Sequence, residues 1–352
     1  AAVRSNLQQL QTRAGSAVLW AVLKGDGYGL GLLPMAAICR EAGVTHFAVT
    51  EVSEVSRLRA GGFSDASILM LRPTSEQDEL RQLLQLGAIL TVSSQNDAAV
   101  LNGVAQELGV QAEVHVKIDT GMGRYGFLPA QVAEAIACYD LPNLEFTGAY
   151  THFSSAFHDK AKTIAQLEVF KDTLAQIEKA GKTVGTRHAA NSPALLNVEH
   201  VALDAVRIGS AFTGRVITHS ETPLHRLGRL EAEVVDMKEV PAGYAVGYNG
   251  TFVTKRPTTI AIVPMGHYDG FGLTKEKENH NFHSVLSALK QFLKKAHLTV
   301  TINGEAYPVI GEVGLSHTAV DVTGSSVQPG DIATCDLSPL LVNPRVPRIY
   351  TE

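Results

Sequence analysis

An alternation of two hydrophobic periods along the first two thirds of the chain constrains its fold most strongly. From residue 16 to about residue 215, short β-branched runs alternate with longer stretches in which apolar residues recur at i, i+3 and i+4. The eight strand candidates are SAVLWAVLK, VTHFAVT, SILMLR, AILTVSS, AEVHVKIDT, LEFTGAYTHF, TVGTRHAAN and LDAVRIGSAF. This alternation predicts an α/β fold, a (β/α)8 TIM-like barrel. A doubly wound sheet is the weaker alternative because it needs fewer units.

The remainder of the chain has a different pattern. After residue 225, runs such as RLEAEVVDMKEV, TTIAIVPMG and YPVIGEV alternate apolar and polar residues between Gly, Pro and Asn. This pattern is typical of antiparallel strands. We therefore predict a barrel over residues 1–220, followed by a mainly antiparallel C-terminal β domain over residues 221–352.

One segment, at about residues 273–297, interrupts the β pattern. Its first half is polar, and its second half predicts an amphipathic helix near residues 281–295. The apolar positions of that helix are Phe282, Val285, Leu286, Leu289, Phe292 and Leu293. Such an apolar face must be buried, and a seam between two copies of the chain is one place for it.

Charge and cysteine content argue against several classes of protein. A formal net charge of -5 gives no electrostatic reason to expect nucleic acid or an anionic membrane as a partner. The cysteines Cys39, Cys138 and Cys335 are far apart and odd in number, so we predict neither a disulfide framework nor a metal site. No apolar run approaches the ~18 residues of a membrane-spanning helix, and the first residues carry no signal-peptide pattern. We expect a cytoplasmic protein.

The segment AVLKGDGYGLG carries the first chemical motif. Lys24 ends an apolar strand and runs into a glycine-rich loop, and catalytic groups of a barrel lie at the carboxyl ends of its strands. Partial desolvation there lowers the pKa of an amine, which allows it to attack an aldehyde. A surface lysine in a flexible turn is the alternative. A dinucleotide-binding loop is excluded because the glycine spacing does not fit one.

Five segments together resemble the alanine racemases, fold-type-III enzymes that use pyridoxal 5′-phosphate (PLP). AVLKGDGYGLG is similar to their PLP-lysine segment, HVKIDTGMGRYG to their carboxylate-binding segment, and THF, ANSPALL and LDAVRIGSAFTG to three further site segments. The resemblance keeps the same order from residue 1 to residue 350. It implies a PLP-dependent racemase of a small amino acid, alanine or serine-like, that is a homodimer with shared active sites.

The resemblance also implies roles for three residues around the cofactor ring. Lys24 is expected to hold PLP covalently and to exchange the Cα proton on one face of the substrate. Arg207 is expected beside the pyridine nitrogen, which stays unprotonated because a guanidinium does not release a proton near neutral pH. His152 is expected beside the ring. The alternatives are a salt bridge in the barrel mouth for Arg207 and a satisfied core histidine for His152.

The phosphate of PLP is assigned to a group of turn residues by the same resemblance. They are Tyr28, Asn191, Ser192, Ile208 and Gly209, which offer hydroxyl groups and backbone N–H donors. Without the resemblance, Ser192 would be an ordinary helix cap with Pro193 as the first helical residue.

Two basic residues are expected to serve the substrate carboxylate. Arg124 matches the family residue that binds the carboxylate, and its planar guanidinium suits bidentate contact. Lys117 matches a family lysine that is often carbamylated and that holds this arginine in place. A plain contact between Lys117 and Asp119, or another acidic residue, is the alternative.

The β domain departs from the family pattern. The family's second catalytic base is a tyrosine, and the matching stretch GHYDGF has His267 at that position with Tyr268 beside it. We expect His267 to be the base, with Tyr268 as the second candidate, because neighbouring strand residues face opposite ways. Leu315, in GEVGLS, stands within a changed substrate-binding stretch, and Pro344 replaces a phosphate-contacting tyrosine. These changes leave open a decarboxylase or other Cα lyase, or a PLP-binding barrel without turnover.

Overall fold

The chain forms two compact units, Ala1–Leu227 and Gly228–Tyr350. The computed structural model describes residues 1–216, 224–273 and 298–351. The amphipathic helix expected near residues 281–295 lies outside these ranges. Within them, no helix has both the length and the apolar content needed to cross a membrane.

The first unit is built on a parallel sheet whose strands coincide with the eight predicted runs. They are β1 (Val18–Val22), β2 (His46–Val49), β3 (Ser67–Met70), β4 (Leu90–Val92), β5 (Ala112–Lys117), β6 (Leu144–Tyr150), β7 (Thr186–Asn191) and β8 (Ala205–Ile208). Their order in the sheet is β3-β2-β1-β8-β7-β6-β5-β4. A parallel bridge between Leu69 and Ile89 joins the two ends of this order. The predicted (β/α)8 TIM-like barrel is confirmed.

Helices cover the outside of the sheet. In the described ranges they are α1 (Ala2–Ala14), α3 (Leu32–Glu41), α4 (Val52–Ala60), α5 (Gln77–Gln85), α6 (Gln95–Leu108), α7 (Val132–Cys138), α8 (Lys160–Lys179) and α9 (Ser192–Asn197). The short segment α2 (Lys24–Tyr28) is a left-handed turn that follows β1. The buried positions of the helices, such as Leu58, Leu83 and Leu101, pack with strand residues in one apolar core. This layer between helices and sheet explains why the barrel sequence alternates the two hydrophobic periods.

The second unit is mainly antiparallel, as predicted. Its strands are β9 (Arg229–Glu233), β10 (Asp236–Val240), β11 (Ala245–Val246), β12 (Phe252–Val253), β13 (Thr258–Val263), β14 (Thr299–Ile302), β15 (Glu305–Ile310), β16 (Thr318–Asp321) and β17 (Ile332–Asp336). Seven of them form a sheet in the order β10-β13-β16-β15-β14-β17-β9, and β11 pairs with β12. Val263, Phe271 and Val300 lie in its core.

One local expectation in this unit was wrong. His267 and Tyr268 lie in a short 3-10 turn, His267–Asp269, and not in a strand. The turn forms because the Asp269 carboxylate accepts the backbone N–H of Gly266, at 2.9 Å. The alternation of strand faces therefore does not separate the two side chains, and both are exposed.

Candidate active site

Lys24 lies where β1 ends and a left-handed turn begins. Gly25, Asp26, Gly27 and Tyr28 all have positive φ angles, of 62°, 54°, 65° and 57°. Glycine adopts this conformation without penalty, but each of the other two residues costs about 1–2 kcal/mol. The segment α2 is therefore a strained left-handed turn, and the position of Lys24 depends on contacts that hold it.

A group of basic side chains surrounds Lys24. Burial lowers the pKa of the Lys24 amine first, and the positive charges of Arg124 and Arg207 lower it further. The pKa of His152 is lowered well below its ordinary value, by burial and then by the charges of Arg207, Arg124, Lys117 and Lys24. In the described part of the chain, no carboxylate forms an ion pair with any of these four cations. The barrel therefore presents an excess of positive charge to a ligand.

Arg207 is buried in the barrel, where it contacts neutral acceptors. Its guanidinium donates to His188 Nδ1 at 2.8 Å and to the carbonyl oxygens of His188, Thr151 and Ala189 at 2.8, 2.6 and 3.3 Å. No carboxylate among the described residues pairs with it, so these contacts replace the alternative of a salt bridge. Burial lowers its pKa to about 10, which leaves it protonated at neutral pH.

A second histidine extends this hydrogen-bonded chain. Arg207 has no acceptor, so His188 Nδ1 must accept, and His188 Nε2–H then donates to His115 Nδ1 at 2.8 Å. Burial and the charge of Arg207 lower the pKa of His188 well below its ordinary value and that of His115 to about 3. Trp20 and Tyr150 stack on His188, with ring centroids 5.9 and 5.0 Å away. Both imidazoles are therefore neutral and fixed in one tautomer.

These partners of Arg207 were missed by sequence reasoning. A signal was available for His115, which precedes Lys117 by two residues and so faces the same side of β5. His188 and Tyr150 carried no comparable signal, because their contacts with Arg207 join different strands and no local pattern records which strand residues meet.

The residues assigned to the phosphate meet at the starts of α9 and of the following 3-10 turn. Ser192 Oγ accepts the backbone N–H groups of Gly209 and Ala211 at 3.1 and 3.3 Å. A side chain at Gly209 would lie 2.5 Å from the Tyr28 hydroxyl oxygen. Burial raises the pKa of Tyr28 to about 12, so its hydroxyl keeps its proton near neutral pH.

The alternative role for Ser192, an ordinary helix cap, is not the arrangement that the structure has. Asn191 is the cap, since its side-chain oxygen accepts the N–H of Ala194 at 3.1 Å. Ser192 is the first helical residue and Pro193 the second. The Ser192 hydroxyl instead accepts N–H groups from the turn that follows β8, and Ile208 is a fully buried residue at the end of that strand.

Asp119 organises the loop that carries Arg124. Its two carboxylate oxygens accept the N–H groups of Gly121, Met122, Gly123 and Arg124, at 2.9, 2.7, 3.2 and 2.9 Å. These four bonds hold the pKa of Asp119 low against the effect of its burial. Arg124 itself is exposed.

Lys117 does not use Asp119 as an ion-pair partner. Its Nζ donates to the carbonyl oxygen of Arg124, at 3.2 Å. Burial, followed by the charge of Arg207, lowers the pKa of Lys117 to about 8. A plain lysine–aspartate contact therefore does not account for this residue.

In the second unit, the structure brings His267, Tyr268 and Leu315 together. The N–H groups of His267 and Tyr268 donate to the carbonyl oxygens of Gly314 and Leu315, at 3.0 and 2.8 Å. His267 Nδ1 donates to the Phe271 carbonyl, at 3.1 Å. This contact leaves His267 Nε2 as the proton acceptor.

The barrel residues fit PLP. A phosphate and a substrate carboxylate would supply negative charge to Lys24, Lys117, Arg124 and Arg207, none of which forms an ion pair with a carboxylate of the described residues. The absence of a side chain at Gly209 lets the Tyr28 ring lie directly against this backbone, since a Cβ there would lie 2.5 Å from the Tyr28 hydroxyl oxygen. A lysine with a lowered pKa is the group that reacts with an aldehyde.

Comparisons with known proteins give the same assignment. The family model "Alanine racemase, N-terminal domain" matches residues 1–216, and "Alanine racemase, C-terminal domain" matches residues 227–337. An alanine racemase of Desulfosudis oleivorans is 33% identical over 87% of this chain and 77% of its own length. One of Methanococcus maripaludis is 32% identical over 95% of this chain and 86% of its own.

Solved structures of alanine racemases are also similar to this chain. The alanine racemase of Streptomyces coelicolor A3(2) has a TM-score of 0.82 and 29% identity, covering 96% of this chain and 86% of its own. The biosynthetic alanine racemase of Pseudomonas aeruginosa has a TM-score of 0.83 and 25% identity, covering 100% of this chain and 97% of its own. Since the two family models match in order over most of the chain, the chain belongs to the alanine racemase family, whose members depend on PLP.

Proposed function

We propose that this chain is a racemase that interconverts the L and D forms of a small amino acid, alanine or serine. The observation that carries the proposal is Lys24, an amine with a lowered pKa among cations that have no carboxylate partner in the described ranges. Bound PLP supplies an electron-withdrawing ring that acidifies the substrate Cα–H. The family relationship supports both the cofactor and the reaction.

The residues around Lys24 divide the work of binding. We assign the phosphate to Tyr28, Ser192 and the backbone of Ile208–Gly209, with Asn191 fixing the helix start beside them. This set offers hydroxyl and N–H donors, which suit a phosphate.

We assign contacts with the PLP ring and with the substrate carboxylate to three other residues. Arg207 is assigned to the pyridine nitrogen, where a guanidinium with a pKa of about 10 does not transfer its proton. His152, held neutral by burial and by the surrounding cations, is assigned beside the ring. Arg124 is assigned to the substrate carboxylate, which its planar guanidinium binds through two hydrogen bonds.

Incubating the PLP-loaded protein with a panel of L-amino acids in D2O, followed by chiral analysis, tests this function. A racemase yields both enantiomers carrying deuterium at Cα, with alanine or serine as the best substrate. Release of CO2 or of a side-chain fragment would instead identify a decarboxylase or another Cα lyase. Retention of the Cα proton in every amino acid would identify a PLP-binding protein without turnover.

We further propose that His267 is the base on the second face of Cα. Its Nδ1 donates to Phe271, which orients Nε2 as an acceptor, whereas the Tyr268 hydroxyl is already bonded by Arg345 at 3.1 Å. His267→Phe is expected to lose Cα proton exchange from one enantiomer and to keep it from the other through Lys24. Nuclear magnetic resonance (NMR) of each enantiomer in D2O measures this. If Tyr268→Phe shows that loss while His267→Phe retains both exchanges, Tyr268 is the base.

The protein is proposed to be a homodimer that builds each site from two chains. The support is the family relationship, since a racemase needs a group on the face opposite Lys24 and the family takes it from the partner subunit. Mixing inactive Lys24→Ala and His267→Ala protomers is expected to give heterodimers in which one of the two sites is intact, so that the isolated heterodimer has about half of the wild-type activity. The measurement is racemase activity of the isolated heterodimer. An inactive heterodimer would show that each site comes from one chain.

Lys117 is proposed to carry a carbamate. Its pKa of about 8 means that the neutral amine, the form that reacts with CO2, becomes abundant as pH rises through that value. At a fixed partial pressure of 13CO2, a carbamate signal in the 13C NMR spectrum is therefore expected to grow as pH rises through about 8. The signal should disappear in Lys117→Met and persist in the exposed control Lys160→Met. Its persistence in Lys117→Met would refute the assignment.

We also propose a cytoplasmic location. The three cysteines are buried and free, as expected for a protein kept in a reducing compartment. Immunoblots of fractionated cells test this, and recovery in the membrane or secreted fraction would contradict it.

A further inference from the structure

Two buried carboxylates in the barrel are built in the same way. Glu54 and Asp97 are each the third residue of a helix, α4 and α6 respectively, and their exposed fractions are 5% and 6%. Each accepts the backbone N–H groups of the two residues before its helix. For Glu54 the donors are Thr50 and Glu51, at 3.0 and 3.2 Å, and for Asp97 they are Ser93 and Ser94, at 3.0 and 2.7 Å.

The two carboxylates differ in what else they bind. The Asp97 carboxylate also accepts hydrogen bonds from the hydroxyl groups of Ser93 and Ser94, which belong to its own loop. The side chain of Glu54 is one methylene longer, and its Oε1 accepts the N–H groups of Gly25 and Asp26, at 2.8 and 3.4 Å. These are the first two peptide groups after Lys24.

The turn that Glu54 reaches needs such a contact. Residues 25–28 are all left-handed, and two of them are not glycine. Helix α4 makes a second contact with this turn, because the Arg57 guanidinium donates to the Asp26 carboxylate at 2.9 Å. That carboxylate also accepts the N–H of Leu32, where α3 begins.

Glu54 also opposes the other charges that act on the amine. Burial and the charges of Arg124 and Arg207 lower the pKa of Lys24, whereas the charge of Glu54 raises it. The Glu54 carboxylate therefore affects both the position of Lys24 and the pKa of its amine.

We propose that Glu54 is a positioning residue of the Lys24 site: its carboxylate holds the left-handed turn that carries Lys24 and Tyr28, and its charge balances the cations around the amine. This inference rests on the proposed function, because it concerns the lysine assigned to PLP. It concerns neither the reaction nor the substrate, so it is tested through PLP binding and Lys24 chemistry alone.

The test compares Glu54→Gln with Asp97→Asn in the full-length protein. Both changes put an amide in place of a buried carboxylate oxygen and leave N–H groups without an acceptor. Only Glu54→Gln alters the Lys24 turn. The first readout is the PLP concentration at half occupancy. The second, in PLP-free protein, is the pH dependence of acetic anhydride labelling of Lys24, measured by peptide mass spectrometry against the exposed Lys160.

Glu54→Gln is expected to raise the half-occupancy concentration of PLP about tenfold relative to Asp97→Asn. The labelling midpoint of Lys24 is expected to move to lower pH, because the charge that raised its pKa is gone. Equal behaviour of the two variants in both readouts would overturn the proposal, even if the protein is a racemase. If wild-type protein does not bind PLP at Lys24, the proposed function fails instead.

If Glu54→Gln does not fold, the same two measurements are made on Glu54→Asp. The shorter acid keeps the charge but cannot reach both loops. It is expected to weaken PLP retention relative to Asp97→Asn while leaving the labelling midpoint near that of wild type. Wild-type PLP retention in Glu54→Asp would refute the positioning role.

Discussion

Replacing Lys24 with alanine is expected to reduce turnover by at least about a thousandfold. The variant loses the amine that binds PLP covalently and also one of the two groups that exchange the Cα proton. The left-handed turn is anchored through the backbone of Gly25 and Asp26, so the fold is expected to survive. The loss should therefore appear in activity and not in the circular dichroism spectrum.

The assignment of PLP to Lys24 is checked directly by chemistry. Borohydride reduction of the loaded wild-type protein should fix PLP on the Lys24 peptide, and mass spectrometry should find none there in Lys24→Ala. Lys160→Ala, an exposed residue in the first turn of α8, is the control and should retain full activity. PLP fixed mainly on Lys117 or another lysine would contradict the assignment.

Replacing Arg207 with alanine is expected to lower the free energy of unfolding of the barrel by about 3–5 kcal/mol. The guanidinium satisfies three buried carbonyl oxygens and the Nδ1 of His188. Removing it leaves these acceptors without this donor and opens a cavity beside the Tyr150 ring, whose centroid is 5.0 Å from the guanidinium carbon. Arg207→Lys should recover part of the stability, because an ammonium has fewer donors and lacks the planar fork.

The fluorescence of Trp20 measures the unfolding of the barrel. Trp20 is the only tryptophan of the chain and stacks on His188 inside the barrel, so its fluorescence during urea denaturation follows the barrel and not the second unit. The control is Arg187→Ala, which removes an exposed arginine of β7 that pairs with Glu178. This change should cost at most about 1 kcal/mol. Equal midpoints for Arg207→Ala and Arg187→Ala would refute the role given to the Arg207 contacts.

The barrel and its principal residue were determined by local sequence. Each strand of a closed parallel barrel is buried on both faces, so its run is short and apolar, and each following helix shows its own period. The eight predicted runs therefore coincide with β1–β8. The glycine-rich turn after Lys24 was also visible, because a positive φ angle favours glycine. All four glycines of GDGYGLG, at positions 25, 27, 29 and 31, have positive φ angles.

Only the tertiary structure decided what surrounds these residues. Glu54 is 29 positions from Gly25, and Arg207 is 56 positions from Thr151, so no local pattern records either contact. The helix cap at Asn191 and the 3-10 turn at His267 depend on particular side-chain hydrogen bonds, in which Asn191 accepts the N–H of Ala194 and Asp269 accepts the N–H of Gly266. Periodicity reports whether a residue is buried, whereas the partner of a buried polar group is set by which distant strands and helices pack together.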